Sequence, residues 1–174
     1  MGILPNQAPL ASFDDPLGVL VDCHRRIERF AGVLHGVALR GAVLDGESRA
    51  ALGKALEYFR EAAPRHTADE EESLFRRLAR LPQARAELER LSAEHAAIEP
   101  LQARAGELGR AWLAAGTLAE SERTELESVT SELVRRYAEH IASEERVLFP
   151  LARERLDPLD LLSIGVEMRM RRDL

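Results

Sequence analysis

The 174-residue sequence predicts an all-α protein, an up-down-up-down four-helix bundle with an N-terminal arm and a short C-terminal fifth helix. Three observations carry that expectation. Ala, Leu, Glu and Arg dominate the composition while aromatic residues make up 5%, a balance that favours helices over a β sandwich. Apolar residues recur at spacings of three and four through four long stretches. Finally, four of the five histidines are followed four residues later by a glutamate: His24/Glu28, His66/Glu70, His95/Glu99 and His140/Glu144. Residues four apart lie one above the other on a single helix face.

The elements follow in order. Residues 1–14 hold two prolines and no helical period, and read as an extended arm. Asp15 then Pro16 is an N-cap followed by a first-turn proline. It opens the stripe Leu17, Val21, His24, Ile27/Glu28, Ala31, Leu34 and Ala38, which Gly41 ends. Helix 2 spans about residues 47–79, with core positions Leu52, Leu56, Phe59, Ala63, His66, Glu70 and Leu74, and Pro64 should bend it just before His66. Pro82 opens helix 3, with the stripe Leu88, Leu91, His95, Ile98/Glu99, Gln102, Ala105, Leu108 and Trp112, and Pro100 is a second expected kink. Thr117-Leu-Ala-Glu120 has the form of a capping box. It starts helix 4, whose stripe is Leu126, Val129, Leu133, Tyr137, His140, Glu144, Val147/Leu148 and Leu151. Asp157-Pro158 begins a fifth helix that ends in a basic tail. The organisation expected is an arm (1–14), a bundle (15–155), and a short helix with its tail (156–174).

The sequence also repeats itself. His66-x-Ala-x-Glu-Glu-x-x-Leu-Phe75 recurs 74 residues later as His140-x-Ala-x-Glu-Glu-x-x-Leu-Phe149. Leu20…His24-x-x-Ile-Glu28 recurs 71 residues later as Leu91…His95-x-x-Ile-Glu99. Two copies of one helical hairpin, related by a pseudo-twofold axis, would supply two equivalent metal positions.

The chemistry follows from where the acids fall. Glu70 and Glu144 occupy apolar stripes with no Lys or Arg beside them on those stripes. An ionised carboxylate buried without a partner costs several kcal/mol, a large share of a domain's ~5–15 kcal/mol of stability. Cations would compensate that charge, and neutral imidazole completes a coordination sphere without adding to it. A single helical His–Glu pair is ordinarily a surface or packing feature. Four such pairs on core stripes in a repeated chain point instead to metal. Mixed imidazole and carboxylate donors suit iron, manganese or zinc, while calcium and magnesium take oxygen alone. Paired, carboxylate-bridged positions favour two iron ions. Glu28 and Glu99 could ligate, accept a hydrogen bond from a ligating imidazole, or face solvent. Glu71 and Glu145 sit ~100° off the ligand face and are expected behind the ligands or paired with arginine. Tyr137 is one turn before His140, as a donor near the site or a core tyrosine. His35 reads as a buried or end-of-bundle histidine, Trp112 as core, and Cys23 as an ordinary packed thiol.

Other classes are disfavoured. The chain carries 24 basic and 30 acidic residues, net −6, with only brief basic pairs, so nucleic acid is not an expected partner. No run approaches ~20 apolar residues, so no membrane span is expected. One cysteine and the absence of a signal-like N-terminus suit the cytoplasm.

These residues resemble the hemerythrin-like, or HHE cation-binding, family. His24, His66 with Glu70, His95, and His140 with Glu144 fill its metal-ligand pattern in order, and both Glu-Glu-x-x-Leu-Phe tails are similar to it. The resemblance covers about residues 15–155 and implies a non-haem diiron centre in a four-helix bundle. Oxygen-carrying hemerythrins have a second His where this chain has Glu99, and an Asp five residues after the helix-4 His, where this chain offers Glu144 at four and Glu145 at five. The donor set is richer in carboxylate and looks more like that of stress-response members. The expectation is a site that binds or reacts with dioxygen, peroxide or nitric oxide. The alternatives are a non-catalytic iron-binding or sensing module and reversible oxygen binding as in hemerythrins. The terminal helix is open to a packing role or a homodimer contact.

Overall fold

The structure is a computed structural model that describes residues 11–41 and 43–174; of the expected arm, residues 1–10 lie outside the described residues. It is an all-α four-helix bundle with a short C-terminal helix. The first helix, α1, is Pro16–Ala38. Asp15 caps it, its side chain accepting from the Gly18 N–H at 3.0 Å, and Pro16 fills the first turn where a missing N–H costs nothing. Gly41 follows at φ +114°, a backbone that favours glycine.

Helix α2 is Gly46–Ala68, continued by a π-helical segment Asp69–Phe75 and a final α-helical turn Arg76–Leu78. A 3-10 turn, Pro82–Ala84, leads into α3, Arg85–Ala115. Helix α4 is Glu120–Ser143, continued by a second π-helical segment Glu144–Leu148 and by Phe149–Arg155. Helix α5 is Pro158–Met170, capped by Asp157, whose carboxylate accepts from Asp160 N–H at 2.8 Å.

Helices α2 and α3 continue through Pro64 and Pro100, and departures from α geometry fall at Asp69–Phe75 and Glu144–Leu148. One expectation is corrected in detail. The N-cap is not Thr117, which pairs with Val43 in an isolated antiparallel bridge, but Ala119. Helix α4 thus starts two residues later, and the Glu122 carboxylate accepts from the Ala119 N–H at 3.1 Å.

Helices α1 and α3 each pack against both α2 and α4, so four helices enclose one interior. That interior has three layers. One end is apolar, built on Ile27, Leu34, Leu52, Leu108, Trp112 and Leu133. The other end is also apolar, built on Leu20, Leu74, Leu91, Leu148, Phe149 and Ile164, with α5 contributing. Between the two lies a polar layer of buried His24, His66, Glu70, His140 and Glu144.

Candidate metal centre

The polar layer draws one stretch from each long helix: His24 from α1, His66 and Glu70 from α2, His95 from α3, and His140 and Glu144 from α4. Glu70 and Glu144 both lie at the start of their π-helical segments. A π turn takes one more residue per turn than an α turn and recurs at functional sites. The widened turn occurs in both halves at the same place in the repeated motif.

The donors form two groups that share Glu70. His24, His66 and Glu70 make one; Glu70, His95, His140 and Glu144 make the other, with the donor atoms of each group within 4.8 Å of one another. One Glu70 oxygen lies 3.3 Å from His24 Nε2 and 3.1 Å from His66 Nε2, and the second lies 3.3 Å from His95 Nε2. Glu144 Oε2 lies 3.1 Å from His24 Nε2 and 3.4 Å from His140 Nε2. Both carboxylates are 0% exposed. Glu70 Oε2, both Glu144 oxygens and His140 Nε2 have no hydrogen-bond partner among the described residues. A buried carboxylate with unpaired oxygens is costly unless a cation neutralises it, so the donor set fits a metal on its chemistry and its geometry.

The protonation pattern carries the same message. Burial resists a charge on His24, but the adjacent Glu144 and Glu70 carboxylates outweigh it and lift its pKa to about 9. His95 is lifted to about 9 against its burial, chiefly by Glu70. His66 is pushed well above its ordinary value, and Glu70 is held well below the usual carboxylate range despite burial because three imidazoles face it. Without a metal, protons supply the positive charge these acids demand.

Behind the Nε2 atoms, the Nδ1 atoms are anchored. Glu145 Oε1 lies 2.9 Å from His24 Nδ1, Glu71 Oε1 lies 2.8 Å from His95 Nδ1, and Glu94 Oε2 lies 2.9 Å from His140 Nδ1. A carboxylate at Nδ1 selects the Nδ1–H form and leaves the Nε2 lone pair for a metal. Glu145 also takes the Arg25 guanidinium. Phe149 stacks on His24 at 5.4 Å and Phe75 on His95 at 6.0 Å. The second helix of each hairpin thus braces, through its Glu and its Phe, the first-helix histidine of the other hairpin.

The remaining sequence candidates stand outside both groups. Glu28 is exposed and paired with Arg25. Glu99 is exposed on the rim of a cavity of about 430 Å³ between α2 and α3. His66, His95 and His140 open onto that cavity, with Ile27, Ile98, Ile141, Gln102 and Tyr137 in its wall. The Tyr137 hydroxyl accepts a hydrogen bond from Gln102, and burial pushes its pKa up so that it stays protonated. His35 bonds Thr130 Oγ1 at 3.1 Å, and Trp112 is buried in the far apolar layer.

Two acids that contact the layer or its flank were not singled out by the sequence. Glu94 meets His140 only through the packing of α3 on α4. Asp69, 0% exposed and next to Glu70, is clamped by Arg171 at 2.9 Å and Arg172 at 2.6 Å from the end of α5. The identical acid pairs Glu70-Glu71 and Glu144-Glu145 in the repeats were a usable signal for the anchoring pair; no local pattern announced Glu94 or Asp69.

An α-helical bundle with an imidazole and carboxylate layer sealed between two apolar cores is a cation-binding protein of the four-helix class. The chain belongs to the hemerythrin HHE cation-binding domain family, whose model matches residues 15–155. A protein of Haemophilus influenzae, described as an uncharacterized protein, is 28% identical over 170 residues, covering 94% of each chain. No helix among the described residues is long and apolar enough to cross a membrane.

Proposed function

We propose that this centre holds two iron ions and serves to bind or react with dioxygen, peroxide or nitric oxide, in oxidative or nitrosative stress response or iron homeostasis in the cytoplasm. The observation that supports it most is Glu70, fully buried and shared between two donor groups, with unpaired carboxylate oxygens in both Glu70 and Glu144. His24, His66 and Glu70 would hold one ion; His95, His140 and Glu144, with the other Glu70 oxygen, would hold the second. Iron is favoured over zinc by the paired arrangement around a shared carboxylate, and manganese is the nearest competitor. Such ions supply electrons to small oxidants and open positions for diatomic ligands.

The protein's own groups do the rest. Glu71, Glu94 and Glu145 fix imidazole orientation. The two apolar layers exclude bulk water from above and below the site. The cavity between α2 and α3 admits a small reactant beside His95 and His140, where Tyr137, kept protonated, offers an O–H near its wall.

Elemental analysis of purified protein, then anaerobic loading with Fe(II) and addition of oxygen, peroxide or nitric oxide, tests this reading. Near two irons per chain and an optical change on oxidant addition are expected. A stable oxygen adduct that releases its ligand would shift the function to carriage, and purification without stoichiometric metal would end the proposal. One observation favours a second reading, an iron sensor without turnover: Asp69, adjacent to Glu70, ties the centre to the end of α5. Large metal-linked stabilisation with no consumption of oxidant would support it.

A further inference from the structure

The pseudo-twofold axis fails at one place, and the failure falls on a metal-ligand candidate. Three of the four layer histidines have a carboxylate at Nδ1; His66 Nδ1 is buried and has no hydrogen-bond partner among the described residues. Its counterpart in the second hairpin is His140, 74 residues on, whose Nδ1 is met by Glu94. The position equivalent to Glu94 in the first hairpin, 71 residues back, is Cys23. Cys23 is buried and stands immediately before His24 on α1. α1 packs against α2, which carries His66, and the Cys23 sulfur is among the groups that raise the His66 pKa against its burial.

The surroundings of the two positions match as well. In the second hairpin, Arg90 bonds both Glu94 and Ser143. In the first, Arg172 bonds Asp69, the repeat equivalent of Ser143. The guanidinium is present in both halves, although α5 supplies it in one and α3 in the other. The acid has moved one place, from the residue at Nδ1 to the residue beyond it.

We propose that Cys23 is the positioning residue of His66, its sulfur accepting from Nδ1–H where the other three histidines use a carboxylate, so that the two metal positions are unequal. Sulfur is a weaker acceptor than a carboxylate, so His66 donates less charge to its ion than His140 does. The ion held by His24 and His66 is then the more electron-poor of the two. This rests on the two-metal reading above, but the contact itself is a property of the chain with or without metal.

The test uses full-length protein and the variants Cys23→Ala, Cys23→Ser and, as the pseudo-symmetric control, Glu94→Ala. In the metal-free and Zn(II)-loaded forms, 1H–15N spectra of the histidine rings report each Nδ1–H. Co(II) titration reports the two metal-binding steps. Cys23→Ala should move the His66 Nδ1–H resonance, speed its exchange with solvent, and weaken one Co(II) step by about 10–100-fold. Cys23→Ser keeps an acceptor and should recover most of that loss. Glu94→Ala should do the same to His140 and the other step. An unchanged His66 Nδ1–H in Cys23→Ala, with both Co(II) steps intact, would overturn the proposal. Equal weakening of both steps by Ala and Ser would also overturn it, because that is the mark of lost packing. If wild-type protein takes up no Co(II), the metal reading fails, while the metal-free spectra still decide the Cys23–His66 contact.

Discussion

Glu71 on α2 and His95 on α3 are joined at 2.8 Å across the boundary between the two hairpins, and Glu145 on α4 mirrors the contact on His24 of α1 at 2.9 Å. Neither acid belongs to either donor group. Each orients an imidazole that does. Replacing Glu71 or Glu145 with Gln should therefore weaken metal binding by about 10–100-fold while leaving the helical content unchanged. Competition with a chelator of known affinity measures it. Equal affinity in wild type and both variants would remove these acids from the site.

Glu70 and Glu144 are opposed by nothing but imidazoles and one another's surroundings. Glu70→Leu or Glu144→Leu should abolish at least one equivalent of bound metal. In the metal-free variants the facing imidazoles lose an acid that holds their protons, so their pKa values should fall, which histidine-ring NMR across pH measures. Full metal content in the double variant would show that the inward-facing acids serve another purpose.

Asp69 is a separate case, since its charge is met by arginine. Removing both Arg171 and Arg172 leaves a buried carboxylate uncompensated, a loss of about 3–5 kcal/mol. In a chain of this size that lowers Tm by on the order of 10 °C. Calorimetry of R171A/R172A checks it. An unaltered melting curve would mean that Asp69 finds its partner elsewhere.

The metal-free protein should be sensitive to alkali. His24 and His95 have folded pKa values near 9 against 6.5 for the free side chain. A raised folded pKa means that the native state holds the proton more tightly. The stabilisation is complete below pH 6.5 and is lost as pH rises through 9. The metal-free Tm should fall across that window. The metal-loaded Tm should stay flat, and metal uptake at pH 7 should release protons. Calorimetric titration in buffers of different ionisation enthalpy counts them, and a flat metal-free profile would contradict the electrostatic picture.

The bundle and its inward acids were readable because helical period is local: His66 and Glu70, or His140 and Glu144, align by spacing alone. What spacing could not show was the π-helical turn beginning at Asp69 and at Glu144. A run of seven or five residues with a wider turn leaves the apolar pattern almost unchanged. The prolines do not interrupt the helices that carry them. Pro64 and Pro100 each delete one backbone hydrogen bond, yet packing on two neighbouring helices holds α2 and α3 together. Glu94 and Asp69 acquire their roles only when α3 meets α4 and when α5 folds back, contacts that join residues 46 and 102 or more positions apart.

The arginines that grip Asp69 lie beyond every ligand-bearing helix in the order of synthesis. The turn at Glu70 is therefore steadied by residues that bring no metal donor of their own. Loss of that tail would strip both cations from the carboxylate beside Glu70, so the far end of the chain and the polar layer are held by one shared set of charges.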